Sequence, residues 1–139
     1  FDYATLDGAD LRSIIAVNAN FIHTGMNETY LQYAEFNRYS TSDCGGWCGE
    51  ANLTNAELYK ADLTDADLRY ADLTDADLRY ADLTGTFLYN ADLTNADLRY
   101  ADLTDAKFNA ATVTNADFAM TTWSNTIWTD GVAYDTNQA

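Results

Sequence analysis

The sequence predicts an all-β solenoid in which short extended segments alternate with tight corners. Three observations lead to this prediction. From Ala51 to Phe118 a large apolar residue stands at every fifth position, an alanine precedes nearly every one of them by two positions, and the 139 residues include no proline. A period of five would spread these side chains around the whole surface of an α-helix, and in a flat strand it would send successive ones to opposite faces. The chain must therefore turn within every five residues.

The corners are predicted at the second residue after each leucine. Asn, Asp or Gly often stands there, as at Asn55, Asp65, Asp75, Gly85, Asn90, Asn95, Asp105 and Asn115. These residue types tolerate turn conformations that bulky residues resist. The absence of proline fits a fold in which nearly every backbone N–H is needed to join stacked coils about 4.8 Å apart. The alanine is small enough to lie beside leucine in a narrow interior.

The amino-terminal third continues the pattern in another register, with centres at Leu6, Leu11, Ala16, Phe21, Met26, Leu31 and Phe36. Residues 39–50 interrupt it and are predicted to form an inserted loop or a bulged coil. This segment contains Cys44 and Cys48, whose spacing favours a disulfide, with two free thiols as the alternative. A redox-active pair is not indicated because the motif is not C-x-x-C, and a single histidine leaves too few ligands for zinc.

The carboxyl-terminal residues 119–139 are predicted to form the last coil and a cap. Trp123 and Trp128 stand at the expected centres, and the pattern then decays. A cap would shield the open end of the hydrogen-bond ladder. The alternative is that these aromatic residues form a homodimer contact at this end.

The motifs A-D-L-T-D and A-D-L-R-Y, which recur within residues 61–105, and A-N-L-T-N at residues 51–55 resemble the A-(D/N)-L-x-x repeats of the pentapeptide-repeat family. The resemblance implies a right-handed quadrilateral parallel β-helix with four pentads per coil, whose interior is formed by leucine and the preceding alanine. The family is abundant in cyanobacteria, which favours a cyanobacterial source. A length of 139 residues suits a single solenoid domain over residues 1–139.

Four pentads per coil place residues twenty apart on one face, so the sequence can be sorted into four columns. The third face carries aspartates without a basic neighbour in the repeat region, namely Asp62, Asp65, Asp82, Asp102 and Asp105. The opposite, first face is also acidic, with Asp72, Asp75 and Asp92, whereas the other two faces mix charges and tyrosines. Phe87 stands where the motif expects aspartate, so it is predicted to point outward. It either forms a small apolar contact patch with Tyr89 or is an isolated exposed aromatic residue.

The charge limits the classes of partner. A net charge of −15 argues against direct binding to nucleic acid or to an anionic membrane, and no run of 18 apolar residues is present to span one. We therefore expect an unidentified protein partner with a basic surface. The sequence contains no G-x-S-x-G, H-E-x-x-H or phosphate-binding glycine loop, which predicts a protein that is not an enzyme and that needs neither a cofactor nor a metal.

The function predicted from these features is a non-catalytic scaffold for protein–protein interaction. The resemblance offers an alternative, because quinolone-resistance members of the family are believed to imitate DNA on DNA gyrase, and acidic columns would suit such a mimic. A third interpretation is that aspartate is favoured at its motif position for local backbone reasons and keeps the solenoid soluble. A start at Phe1 fits a removed leader, and a disulfide fits an oxidising compartment, so the periplasm or thylakoid lumen is favoured over the cytoplasm.

Overall fold

The chain winds as a right-handed, four-sided parallel β-helix, as predicted. The computed structural model describes residues 1–16, 19–36 and 51–134. From Asn52 onward each bridging residue pairs in parallel with the residue twenty positions later, so that one coil takes four pentads. Asn20 instead pairs with Asn52, a separation of 32 positions, so twelve residues beyond four pentads lie between these coils. The predicted loop at 39–50 itself lies outside the described residues.

The four faces are defined by the pentads that stack on one another. The first face comprises residues 51–55, 71–75, 91–95 and 111–115, and the second comprises 56–60, 76–80, 96–100 and 116–120. The third comprises 61–65, 81–85, 101–105 and 121–125, and the fourth comprises 66–70, 86–90, 106–110 and 126–130. Each pentad thus contributes one side of the square cross-section.

Backbone hydrogen bonds join each pentad to the coils above and below it. On the third face, the Leu63 amide donates to the Asp82 carbonyl at 2.8 Å, and the Asp82 amide donates to the Ala61 carbonyl at 3.0 Å. The same bonds recur around the described coils, which accounts for the absence of proline from the chain.

The interior is a packed column of leucine and alanine. Leu63, Leu83 and Leu103, which represent the leucine position, are at most 1% exposed, and the alanines two positions earlier are equally buried. Thr86 replaces one alanine, and its hydroxyl donates to the Leu63 carbonyl at 2.8 Å, which satisfies the buried polar group. The amino-terminal register is confirmed as well, since Phe21, Met26, Leu31 and Phe36 are buried at their predicted centres.

Each corner is a tight turn whose third residue has a positive φ. The Ala66 amide donates to the Leu63 carbonyl at 2.9 Å, and Asp65 between them has a φ of 55°. All the Asn, Asp and Gly residues predicted at corners adopt this left-handed conformation. Lys60, Tyr70, Tyr80, Tyr100, Ala110 and Met120 adopt it too, although their side chains favour it less. The position, and not the residue type, therefore dictates the turn.

We predict that Ala110→Gly raises the stability of the solenoid by up to about 1 kcal/mol. Ala110 is exposed and has a φ of 55°, so glycine removes backbone strain without removing a packed side chain. Thermal unfolding followed by circular dichroism would measure the change. The neighbouring Ala111→Gly is the control, because Ala111 is buried and has no positive φ, and it should lower the melting temperature. Equal shifts in the two variants would contradict this explanation of the corner.

Two short antiparallel strands lie at the carboxyl-terminal end, the first of them within the last pentad of the fourth face. Strand β1 (Thr126–Ile127) pairs with strand β2 (Ala133–Tyr134) in the register Thr126↔Tyr134 and Ile127↔Ala133. Trp123 and Trp128 pack with Phe108 and Phe118 inside this end, and the two indoles lie 4.8 Å apart. These aromatic rings fill the interior at this end of the solenoid.

Candidate interaction surface

The aspartates of the third face have a local structural role. The Oδ1 atoms of Asp62, Asp82 and Asp102 accept hydrogen bonds from the backbone amides two residues later, at 3.0 to 3.1 Å. The hydroxyls of Thr64 and Thr104 also donate to the preceding aspartates. This arrangement repeats at the same motif position on every face of residues 51–119, which supports the local backbone explanation for the aspartates.

The local role does not require a charge. Asn52 occupies the same motif position, and its Oδ1 accepts from the Thr54 amide at 3.0 Å. Asparagine therefore supplies the same hydrogen bond without the charge of aspartate. Asp62, Asp82 and Asp102 lie in successive coils, and no lysine or arginine shares their face within residues 51–134. The turn therefore does not require the negative charges of these three aspartates.

The corner aspartates of the third face avoid direct stacking on each other. Gly85 lies between Asp65 and Asp105, and a Cβ at Gly85 would approach the Asp65 carboxylate to 2.3 Å. The Asn125 side-chain amide donates to Asp105 at 2.7 Å. Gly85 thus separates the two carboxylates, and Asn125 binds one of them. The carboxylates at this corner therefore repel each other less than an unbroken column of aspartates would.

Arginines bind the aspartates of the second face. The guanidinium of Arg99 donates to both carboxylate oxygens of Asp97, at 2.8 and 2.6 Å, and it lies 3.6 Å from Asp117 of the next coil. Arg79 binds Asp77 in the same way and approaches Asp97 to 3.7 Å. A ladder of alternating charges results, which distinguishes this face from the third.

These pairs shift pKa values in the described chain. The side-chain hydrogen bond from Arg99 lowers the pKa of Asp97, against the opposing effect of partial burial. In the first coil, hydrogen bonds from the Arg12 side chain and backbone lower the pKa of Asp10 to about 2. The same hydrogen bonds stabilise the charged form of each arginine, so those to Asp77 and Asp97 raise the pKa of Arg79 and Arg99 respectively.

We predict that the stabilisation contributed by the Asp97–Arg99 pair depends on pH. Because folding lowers the pKa of Asp97, the contribution is present above the pKa of an unfolded aspartate, about 3.9, and is lost as the pH falls through the lower folded value. Urea denaturation at a series of pH values would measure the difference in free energy of unfolding between the wild type and Asp97→Asn, which should shrink in acid. The difference between the wild type and Arg99→Gln should shrink over the same pH range. A difference that stays constant with pH would contradict the prediction.

Phe87 and Tyr89 lie on the fourth face and are half-buried, whereas their sequence positions predicted exposed side chains. The Nζ atom of Lys107, from the next coil, lies 4.1 Å from the centre of the Phe87 ring, and the two aromatic rings are 6.2 Å apart. The lysine covers the ring because residues twenty apart stack on this face. The predicted apolar patch is therefore partly covered by a cation.

The predicted cysteine pair cannot be placed on any face of the solenoid. Cys44 and Cys48 lie outside the described residues. Among residues 1–16, 19–36 and 51–134, no group of His, Cys, Asp or Glu side chains is arranged to hold a metal ion. The same ranges contain no helix of the length and apolar character that crossing a membrane requires.

The structure also reveals an exposed stripe that sequence reasoning did not select as a site. Tyr80, Tyr100 and Met120 stack at the corner between the second and third faces, and Tyr80 and Tyr100 lie with their rings parallel at 4.7 Å. The sequence signal was a tyrosine at a corner position where Asn, Asp or Gly is expected. We call these three residues the corner stripe.

Solved structures with the same fold come from several sources. HetL, a protein involved in heterocyst differentiation regulation in the cyanobacterium Nostoc sp. strain PCC 7120, is 26% identical with a TM-score of 0.58; the match covers 96% of this chain and 65% of HetL. Rfr23 from the cyanobacterium Cyanothece 51142 is 21% identical with a TM-score of 0.62, over 90% of this chain and 88% of Rfr23. This chain thus spans about two thirds of the length of HetL and most of that of Rfr23.

QnrB1, a plasmid-mediated fluoroquinolone resistance protein, is 18% identical with a TM-score of 0.54, over 89% of this chain and 67% of QnrB1. At that identity the likeness shows the fold alone. No curated protein is significantly similar to this chain in sequence. The family model for pentapeptide repeats matches in eight copies over residues 48–85, 71–109 and 88–121, which together make up more than half of the chain. The chain therefore belongs to the pentapeptide-repeat family.

Proposed function

We propose that this protein is a non-catalytic scaffold whose third face binds a basic surface of a partner protein. Pentapeptide-repeat proteins are generally interaction scaffolds and not enzymes. The packed leucine and alanine interior leaves the outward side chains to make contacts with other molecules. Within residues 51–134 the first and third faces both carry carboxylates and no lysine or arginine, and the third has the longer column of stacked aspartates, Asp62, Asp82 and Asp102.

The column of Asp62, Asp82 and Asp102 carries this proposal. Like charges on neighbouring strands disfavour the folded protein by roughly 0.2–1 kcal/mol for each adjacent pair. Asparagine, as at position 52, would keep the local hydrogen bond and avoid that repulsion. A basic partner would neutralise the column, so the charge that is unfavourable in the free protein becomes favourable in the complex.

Two charge-matched variants test the proposal. Asp62→Asn/Asp82→Asn/Asp102→Asn removes three charges from the third face, and Asp72→Asn/Asp75→Asn/Asp92→Asn removes three from the first. Immobilised wild type and both variants would be compared for proteins retained from a lysate of the source organism, at rising ionic strength. We expect a partner that is retained by the wild type and the first-face variant, lost by the third-face variant and released by salt. Equal retention by both variants would count against the third face.

A second candidate function is imitation of duplex DNA on a DNA-binding protein such as DNA gyrase. Residues 51–110 carry twelve acidic and five basic side chains, a net charge of −7 over three coils. With a rise of about 4.8 Å per coil, this is about one net charge per 2 Å of axis, close to the roughly 1.7 Å of duplex DNA. The third-face variant in a gyrase supercoiling assay tests this candidate. Inhibition by the wild type that weakens with salt and with the variant supports it, and no inhibition at high protein concentration contradicts it.

A further inference from the structure

The corner stripe exposes apolar side chains in a continuous line. Tyr80, Tyr100 and Met120 are 48%, 50% and 75% exposed, respectively. Tyr59 of the second face meets the Tyr80 ring edge-on at 5.6 Å, and Lys60 and Arg79 lie 5.3 and 5.7 Å from the centre of the Tyr59 ring. The exposed apolar line therefore begins at Tyr80. Tyrosine is a frequent anchor of protein interfaces, since it offers a large apolar ring at a low cost in conformational entropy.

Neither the backbone nor the core explains these residues. Tyr80, Tyr100 and Met120 have φ angles of 61°, 64° and 61°, and a residue other than glycine pays about 1–2 kcal/mol for this conformation. The corners that follow these three along the chain use Gly85, Asp105 and Asn125, which suit a positive φ. Asn or Gly would suit the corner stripe as well, and its exposed side chains contribute little to the interior.

The two sides of the stripe differ in charge. On one side lie Asp82 and Asp102 of the third face, each two residues after a tyrosine of the stripe. On the other side lie Arg79 and Arg99, whose charges are balanced by Asp77 and Asp97. A partner that covers the stripe therefore meets an apolar ridge, a negative flank and a nearly neutral flank. Apolar side chains bordered on one side by Lys or Arg would complement this pattern.

The spacing of the stripe favours a helix as the complementary element. The centres of the two stacked tyrosine rings are 4.7 Å apart, close to the rise of about 4.8 Å per coil. Side chains on one face of an α-helix recur about every 5.4 Å, whereas those on one face of a strand recur about every 6.7 Å. Over the two steps from Tyr80 to Met120 a helix loses register by little more than 1 Å, and a strand by about 4 Å.

We propose that the corner stripe is the binding site for a basic amphipathic α-helix of a partner protein. The helix lies along the solenoid axis, its apolar residues contact Tyr80, Tyr100 and Met120, and its Lys or Arg residues reach Asp82 and Asp102. This inference rests on the proposed function, because it uses the third face as the negative flank. Beyond the proposed function, it specifies that the partner contributes an α-helix and names the residues of the stripe and of the third face that orient that helix.

A pair of synthetic peptides tests the inference. One is a fluorescein-labelled leucine–lysine peptide whose leucines share one helical face with lysines at its edge; the other has the same composition in scrambled order. Their affinities for the full chain would be measured by fluorescence anisotropy. The stripe variant is Tyr80→Asn/Tyr100→Asn/Met120→Asn, which should fold at least as well because asparagine suits a positive φ. Tyr70→Asn/Ala110→Asn makes the same kind of change at another corner and serves as the control.

We expect the wild type and the control to bind the ordered peptide about tenfold more tightly than the scrambled one. The stripe variant should bind both peptides at the scrambled level, and the third-face variant should weaken both. Equal affinity of the wild type for the two peptides, or undiminished binding of the ordered peptide by a folded stripe variant, would overturn the inference and leave the scaffold proposal standing. If the wild type binds neither peptide at low ionic strength, the proposed basic partner fails as well.

Discussion

Leu78→Arg is expected to unfold the central coils. Leu78 is fully buried on the second face, between the coils that contain Leu58 and Leu98. A guanidinium placed there would lose its hydration without a carboxylate to bind it, which costs several kcal/mol, a large part of the roughly 5–15 kcal/mol that stabilises a typical domain. Each coil of a solenoid depends on its neighbours, so the damage should spread to the adjacent coils. Urea denaturation followed by circular dichroism would show a large fall in the midpoint or an unfolded chain.

Tyr80→Arg is the matched control for this substitution. It introduces the same side chain only two residues further on, at an exposed corner where the guanidinium reaches water. We expect its free energy of unfolding to stay within about 0.5 kcal/mol of the wild type. Similar unfolding midpoints for Leu78→Arg and Tyr80→Arg would show that the leucine column does not form the core.

Phe108→Ala should destabilise the carboxyl-terminal end by roughly 3–5 kcal/mol. Phe108 is fully buried, and its ring centre lies 5.2 Å from that of Trp128 and 6.0 Å from that of Phe118. Truncation removes these contacts and leaves a cavity beside Phe118 and Trp128. Urea denaturation monitored by tryptophan fluorescence should report an earlier transition for this end than circular dichroism reports for the rest of the solenoid.

Phe87→Ala provides the comparison for Phe108→Ala. Phe87 is half-buried on the outer surface, where it packs against Lys107 and Tyr89, so its loss should destabilise the protein by about 1 kcal/mol or less. An equal effect of the two substitutions would mean that the aromatic cluster at the end of the solenoid is not a packed core.

The regular part of the fold could be predicted because its repeat leaves few alternatives. The leucine and alanine positions, the corner positions and the amino-terminal register are all confirmed by burial and by positive φ angles. Residue type alone identified only those corner positions that are occupied by Asn, Asp or Gly. Lys60, Tyr70, Tyr80, Tyr100, Ala110 and Met120 also turn there, since the stacked coils impose the conformation on whatever residue stands at the position.

The candidate surface could be predicted less completely. The column assignment of Asp62, Asp82 and Asp102 was correct, but the hydrogen bonds that these carboxylates accept from Thr64, Thr84 and Thr104 were seen only in the structure. Phe87 was expected to be exposed, and Lys107 covers it. Sequence columns show which residues are neighbours and do not show where long side chains lie, because rotamers depend on the packing around them.

The sequence by itself determined the solenoid, its interior and the sign of the charge on each face. A five-residue period admits one way to bury every leucine, and the order of residues along the chain then assigns each outward position to a column. Only the tertiary structure decided which charges and rings are free to meet a partner. Arg79 and Arg99 turn onto the aspartates of their own face, while Tyr80, Tyr100 and Met120 stay exposed. The pairs Arg79–Asp77 and Arg99–Asp97 are local, but the approach of each arginine to the aspartate of the next coil joins residues about twenty positions apart. The same holds for the stacking of Tyr80 on Tyr100, and these distances are set by the stacking of coils and not by local sequence.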